Sequence, residues 1–198
     1  MKKMIWFTCI SILLLLFFVP GIMAGFIDMV PANDQPGYGG NGRVSVYGVR
    51  QFTQYFVSKE KNLIAVATTI KNPNLNNKKA IYFKLYDENN NLVRSTTING
   101  MNIGDGDFIK IVFDKISDSQ NKKYYFTLSS PDADEVEIIE LFLTDPTNEI
   151  LTYVYDEETY PGGAPIVTFH KPDSVWEIVK LVYINWLSKL LPFGFQKV

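Results

Sequence analysis

Asp107–Glu137 reads DFIKIVFDKISDSQNKKYYFTLSSPDADEVE, and its two alternating runs decide the fold. A strand with one buried face repeats every two residues. Phe108, Lys110 and Val112 share one face of the first run, and Ile109, Ile111 and Phe113 the other. In the second run Tyr124, Phe126 and Leu128 lie opposite Tyr125, Thr127 and Ser129. The polar segment Ser117–Asn121 joins them. The pair is expected to be a hairpin at the core of a β-sandwich.

Working outward, the same pattern predicts strands at Val44–Val49, Phe52–Ser58, Leu63–Ile70, Ala80–Asp87 and Leu92–Ile98. After the opening stretch it predicts Val136–Thr144, Ile150–Tyr155 and Ile166–His170. Turn chemistry fills the intervals, as in Lys71-Asn72-Pro73-Asn74, Asn99-Gly100, Ser130-Pro131-Asp132 and Pro161-Gly162-Gly163. Asp87–Asn90 is the clearest hairpin signal, because Asn and Asp tolerate the left-handed backbone of tight turns. Many short strands without intervening helix point to an all-β antiparallel sandwich or barrel.

The flanks differ. Lys2 and Lys3 precede an apolar run, Met4–Val19, closed by Pro20-Gly21. This is a secretory signal peptide, removed after Ala24, or a retained anchor, since about 20 apolar residues span a bilayer. Either way the rest of the chain is expected outside the cytoplasmic membrane. Residues 25–42, rich in Pro and Gly, read as a linker. Asp173–Leu191 changes to helical periodicity, with Asp173 or Ser174 as cap and Pro192 and Gly194 as stop. One half of its wheel carries Trp176, Val179, Tyr183, Trp186 and Leu190. That half suits a membrane interface or a protein partner.

Among the 198 residues, 46% are apolar and 14% aromatic, which excludes a disordered chain. A net charge of −2 offers no basic footprint for nucleic acid. Cys9, the single cysteine, lies in the apolar leader, so no intrachain disulfide forms. His170 is the single histidine, and no Gly-x-Ser-x-Gly elbow supplies a nucleophile, so no catalytic residue is assigned. Acidic residues gather in turns. Asp132, Asp134 and Glu135 are the candidate ligands of a structural calcium, against the plainer reading of solvated turns. No other cofactor is expected. Tyr82, Tyr86, Tyr125, Tyr153 and Tyr155 are read as outward-facing. Outward tyrosines stack on sugar rings, pair across strands or line a protein interface.

Gln51-Phe52, Gln54-x-Phe56, Asn62-Leu63-x-x-Val66, Ile81-x-Phe83-x-Leu85-x-Asp87 and the run Phe113 to Ala133 resemble bacterial envelope ectodomains. Those domains are of the carbohydrate-binding-module-like jelly-roll type, attached to a membrane by a nearby helix. The resemblance implies a jelly-roll-like sandwich in which Ser130–Ala133 forms a loop between core strands. It carries no functional residue over.

The expected order is a leader or anchor at 1–24, a linker at 25–42, a sandwich at 43–171 and a helix with its tail at 172–198. The sandwich should hold about eight to ten strands. The expected protein is an exported, membrane-attached, non-catalytic accessory or structural subunit of an envelope complex. Its partners would be the membrane and other proteins. The alternative is an envelope glycan-binding module using the surface tyrosines.

Overall fold

The computed structural model describes residues 2–32, 42–144 and 152–190. The chain divides into two units, residues 31–170 and residues 1–30 with 171–198.

The first unit is built of strands. They are β1 (Val30–Pro31, at its border), β2 (Gly42–Val46), β3 (Phe52–Ser58), β4 (Leu63–Lys71), β5 (Ala80–Asp87) and β6 (Leu92–Asn99). They continue as β7 (Asp105–Ile116), β8 (Lys122–Ser129), β9 (Ile139–Leu143), β10 (Thr152–Tyr155), β11 (Glu158–Pro161) and β12 (Ile166–His170). Two six-stranded sheets result. One runs β1-β12-β4-β9-β2, with β7 also paired to β4, and the other runs β11-β10-β3-β8-β5-β6. The named pairs described beside β1 are antiparallel, and the architecture is sandwich-like.

Alternation explains the core. Phe52 and Phe56 of β3, Ile81, Phe83 and Leu85 of β5, and Phe126 and Leu128 of β8 turn one way and are buried. Val46, Val66, Ile70, Ile111, Ile139, Leu141 and Ile166 meet them from the other sheet. Phe126 sits among Phe52, Phe56 and Phe83 at ring distances of 5.4 to 6.4 Å. Phe83 and Phe113 stack across the sheets at 6.3 Å. Aromatic contacts of this kind add about 0.5–1.5 kcal/mol beyond area burial.

The opening stretch is not a hairpin. β7 pairs with β4 in one sheet, whereas β8 pairs with β3 and β5 in the other. Ser117–Asn121 carries the chain between sheets, alongside the β3–β4 connection. Ser119 Oγ donates to Glu60 O and accepts from Leu63 N, at 2.8 and 3.0 Å. Asn62 N donates to Ser117 O, and Asn121 N to Ser58 O. Two arches are thus laced together. Period-two alternation is the same in an arch and in a hairpin, so the pattern alone does not tell them apart.

The β5–β6 hairpin is where the Asp87–Asn90 signal puts it. Asp87 Oδ1 accepts from Asn89 N and Asn91 N, and Asn90 sits at φ +63°. The β10–β11 hairpin carries no Asn-Gly signal. Its turn residues Asp156 and Glu157 both have positive φ, +49° and +68°.

β6 ends its sheet. From β6, Arg94 reaches across to β7 of the other sheet, donating from Nε to Asp114 O and from Nη2 to Lys115 O at 2.8 and 3.0 Å. Edge strands left open invite pairing with other chains.

The second unit holds α1 (Lys2–Ala24) and α2 (Val175–Leu190). Ser174 Oγ accepts from Glu177 N, and Glu177 Oε2 accepts from Asp173 N, a reciprocal N-terminal cap. Gly21 of α1 has room for only a methyl group before Tyr183 Oη of α2, 3.7 Å away. Phe18, Gly21 and Ile22 line one hollow with Trp176, Val179 and Tyr183, and α1 residues from Ile12 to Met23 line another with Val182 and Trp186. The two helices therefore run antiparallel.

Residues 33–41 of the expected linker, the expected strand start at Ile150 and the tail beyond Leu190 fall outside the described residues.

Candidate functional site

The outer face of the second sheet carries an aromatic row. Tyr55 of β3 is opposite Tyr125 of β8, which is opposite Tyr86 of β5. Their outward face follows from parity, because Tyr55 is out of phase with buried Phe52 and Phe56, and Tyr125 with Tyr124 and Phe126. Tyr86 and Tyr125 stack at 4.9 Å with planes 10° apart, and Tyr55 meets Tyr125 at 5.1 Å and 38°. Tyr125 Oη donates to Asn90 Oδ1 at 3.1 Å. Partial burial first, then the neighbouring phenols, raise the Tyr125 hydroxyl above its ordinary pKa.

This geometry limits what the row can do. Tyr125 has a ring against each face, so a sugar cannot stack on it without displacing a neighbour. A sugar stacked on this row would have to use the ring faces of Tyr55 and Tyr86 turned away from Tyr125. Beside the row lies a polar line of Thr53, Thr127, Lys84 and Ser95, then Ser129, Tyr82 and Thr97. Tyr82 is half-buried and separate from the stack. Tyr55 belongs to the row although the tyrosines singled out from the sequence omitted it. Its phase within β3 is the signal that would have included it.

Tyr153 and Tyr155 are placed differently from their outward reading. Tyr153 is buried, stacked on Phe52 at 5.6 Å and on Tyr160 at 5.1 Å. β10 pairs Tyr153 with Gln54 and Tyr155 with Phe52, both on the inner side of β3, so both tyrosines turn inward. Tyr155 Oη donates to Ser45 O of β2 at 2.7 Å and bolts one sheet to the other. Burial raises the pKa of both phenols.

One end of the sandwich is organised by two buried asparagines. Asn72 Nδ2 donates to Asn77 O and Gly100 O at 2.9 and 3.0 Å, and its Oδ1 accepts from Asn77 N at 2.8 Å. Asn77 Oδ1 accepts from Lys79 N, and its Nδ2 reaches Glu137 O and Ser130 Oγ. Ser130 O and Ala133 O both accept from Gly48 N. Four loops are tied by this knot. A methyl at Gly100 would lie 2.4 Å from Asn77 Oδ1 and 2.7 Å from its carbonyl oxygen, so only glycine fits.

The candidate calcium loop hangs from that end. Ser130–Ala133 opens the connection from β8 to β9. Asp132, Asp134 and Glu135 are exposed. Asp134 Oδ1 accepts from Val136 N and Glu137 N, at 2.8 and 3.0 Å, as a turn-forming carboxylate does. Tyr47 Oη approaches Glu135 at 3.5 Å. Among the described residues no three or more His, Cys, Asp or Glu gather as metal ligands would.

A hollow at the opposite end brings Asp87, Glu88, Asp118 and Lys122 together. Two of its carboxylates are engaged. Asp87 also accepts from Asn91 Nδ2 at 3.0 Å, and Asp118 pairs with Lys122. Hydrogen bonds from the Asn91 side chain, then from backbone N–H groups, hold the Asp87 carboxyl below its ordinary pKa. His170 ends β12 beside Leu63, with its Nδ1 buried and no partner met among the described residues.

In the helical unit Trp176 is 80% exposed, while Val179, Tyr183 and Trp186 are half-buried toward α1. The Leu190 side chain lies outside the described residues. Ile184, which breaks the apolar stripe on the helical wheel, is exposed.

No family model matches the chain, and no curated protein matches it. Among solved structures it is similar to the enzymatically active domain of bacteriophage CBA120 tailspike protein 4, at 20% identity and a TM-score of 0.34. The match covers 64% of this chain and 17% of that one. No functional residue is drawn from it. The resemblance read from the sequence stands at the level of an all-β sandwich.

Proposed function

We propose that the chain is an exported β-sandwich held at a membrane by α1, acting as a non-catalytic accessory or structural subunit of a membrane or envelope complex. The surface of α1 carries this reading. Ile5–Ala24 has a mean hydropathy of 2.4, and Trp6, Phe7 and Phe18 are 63–76% exposed. No charged side chain occurs between Met4 and Ile27. Twenty such residues at 1.5 Å each make about 30 Å, the thickness of a bilayer's hydrocarbon core. Lys2 and Lys3 precede the span, and the positive-inside rule keeps them cytoplasmic and the sandwich outside.

The test is fractionation of membranes that hold the full chain. The protein is expected to stay in the pellet through an alkaline carbonate wash, and to migrate after mild detergent as a defined assembly with other proteins. Release by carbonate would overturn the anchor. A companion-free species at 22.6 kDa plus detergent would remove the subunit reading. The weight would then move to the glycan reading, for which Tyr55 and Tyr86 carry the ring faces turned away from Tyr125.

A further inference from the structure

We infer that α2 is a second membrane-inserted helix, packed antiparallel on a retained α1, and that it returns the chain toward the cytoplasmic face. This rests on the membrane reading of α1. Three observations carry it beyond that reading.

The first is the packing. Trp176, Val179 and Tyr183 line one hollow with Phe18, Gly21 and Ile22, and Val182 and Trp186 line another with α1 residues from Ile12 to Met23. A helix laid flat on a headgroup surface would cross a spanning helix instead of following it for three turns. Sixteen residues at 1.5 Å take α2 about 24 Å along α1.

The second is charge placement. Glu177 and Lys180 sit in the first two turns, at the level of the α1 end that leads to the sandwich. Leu181–Ser188 carries no charge, and Lys189 comes only in the last turn. Helical side chains lean toward their own N-terminus, so Lys180 reaches back toward the outer headgroups. In sequence Lys189 and Lys197 come after that uncharged run, so an inserted α2 would carry them to the side of Lys2 and Lys3, as the positive-inside rule requires.

The third is the candidate cleavage point. Ala24 is fully buried, and the chain around it is coiled, with Gly25 N on Ile22 O, Phe26 N on Met23 O and Ile27 N on Ala24 O. A signal-peptide cleavage site has small residues at the last and third-last positions, and Ile22 is large. Removing α1 would also strip α2 of the surface it packs on.

The experiment labels single cysteines in the full chain with a membrane-impermeant maleimide, in a Cys9→Ser background. Ser95→Cys reports the sandwich and Lys197→Cys the chain that follows α2. Position 95 is expected to react in intact cells, and position 197 only after permeabilisation, on a protein whose mass includes residues 1–24. If both react in intact cells, the inserted hairpin is wrong while the exported sandwich stands. If neither reacts until the membrane is opened, the exported reading itself fails. Loss of residues 1–24 with the protein still pelleting would also overturn the inference and leave attachment to α2 alone.

Discussion

Replacing Asn72 by Ala should cost about 3 kcal/mol. Three hydrogen bonds vanish, to Asn77 O, Gly100 O and Asn77 N, each worth a net of about 1 kcal/mol. The groups left behind are sealed from water, since Asn72 and Asn77 are fully buried and Gly100 is buried as well. An unpaired buried polar group costs about 1–3 kcal/mol, so the loss could reach about 5 kcal/mol if no water enters. With a urea slope of roughly 2 kcal/mol/M for a domain of this size, the midpoint should fall by about 1.5 M. The assay is urea unfolding followed by the β signal in far-ultraviolet circular dichroism. Asn76→Ala is the control, because its one bond, to Val136 O, is exposed, and it should move the midpoint little. Equal midpoints for the two variants would refute the argument that this knot holds the loops together.

Tyr125→Phe keeps the ring stack and should be nearly neutral, whereas Tyr125→Ala should lose about 1–2 kcal/mol in the same unfolding assay. Glu157→Gly should stabilise by about 1 kcal/mol, because φ +68° strains a residue with a Cβ and not glycine; an unchanged midpoint would count against strain there. Asp87 has a lowered pKa when folded, so its contribution is present above its unfolded pKa and is lost as pH falls through the folded one. Asp87→Asn should therefore flatten the acid limb of stability against pH, read as unfolding midpoints at a series of acid pH values. Arg94→Ala should leave the fold intact but raise the association of the protein with itself, measured by light scattering, by uncovering the Asp114 and Lys115 carbonyls of β7.

Alternation made much of the sandwich legible. Phe52–Ser58, Ala80–Asp87 and Ile166–His170 were readable to the residue, because each is rich in aromatic and β-branched residues, and Ala80–Asp87 also alternates cleanly. β11 was not readable, since Glu158–Pro161 is four residues long and mostly exposed. The stack of Tyr55, Tyr125 and Tyr86 was legible in parity for each residue separately. That they meet depended on β3, β8 and β5 being neighbours, which no local pattern encodes. Tyr153 was misread because the phase of a four-residue strand shows only when its partner is known. Nor did anything local announce that Asn72 and Asn77 are buried, since a turn asparagine and a loop-tying asparagine look alike.

The sequence by itself determined the all-β class, most strand positions, the inward face of Ala80–Asp87 and the apolar character of both ends. These are local properties, written in periods of 2 and 3.6 residues and in turn chemistry. Only the tertiary structure decided that Phe108–Phe113 and Tyr124–Leu128 belong to opposite sheets, that Tyr155 bolts the two together, and that α2 runs back along α1. Those are choices of partner, made by whichever pairing buries the most apolar surface while satisfying the backbone, and they join residues as far apart as Ser45 and Tyr155.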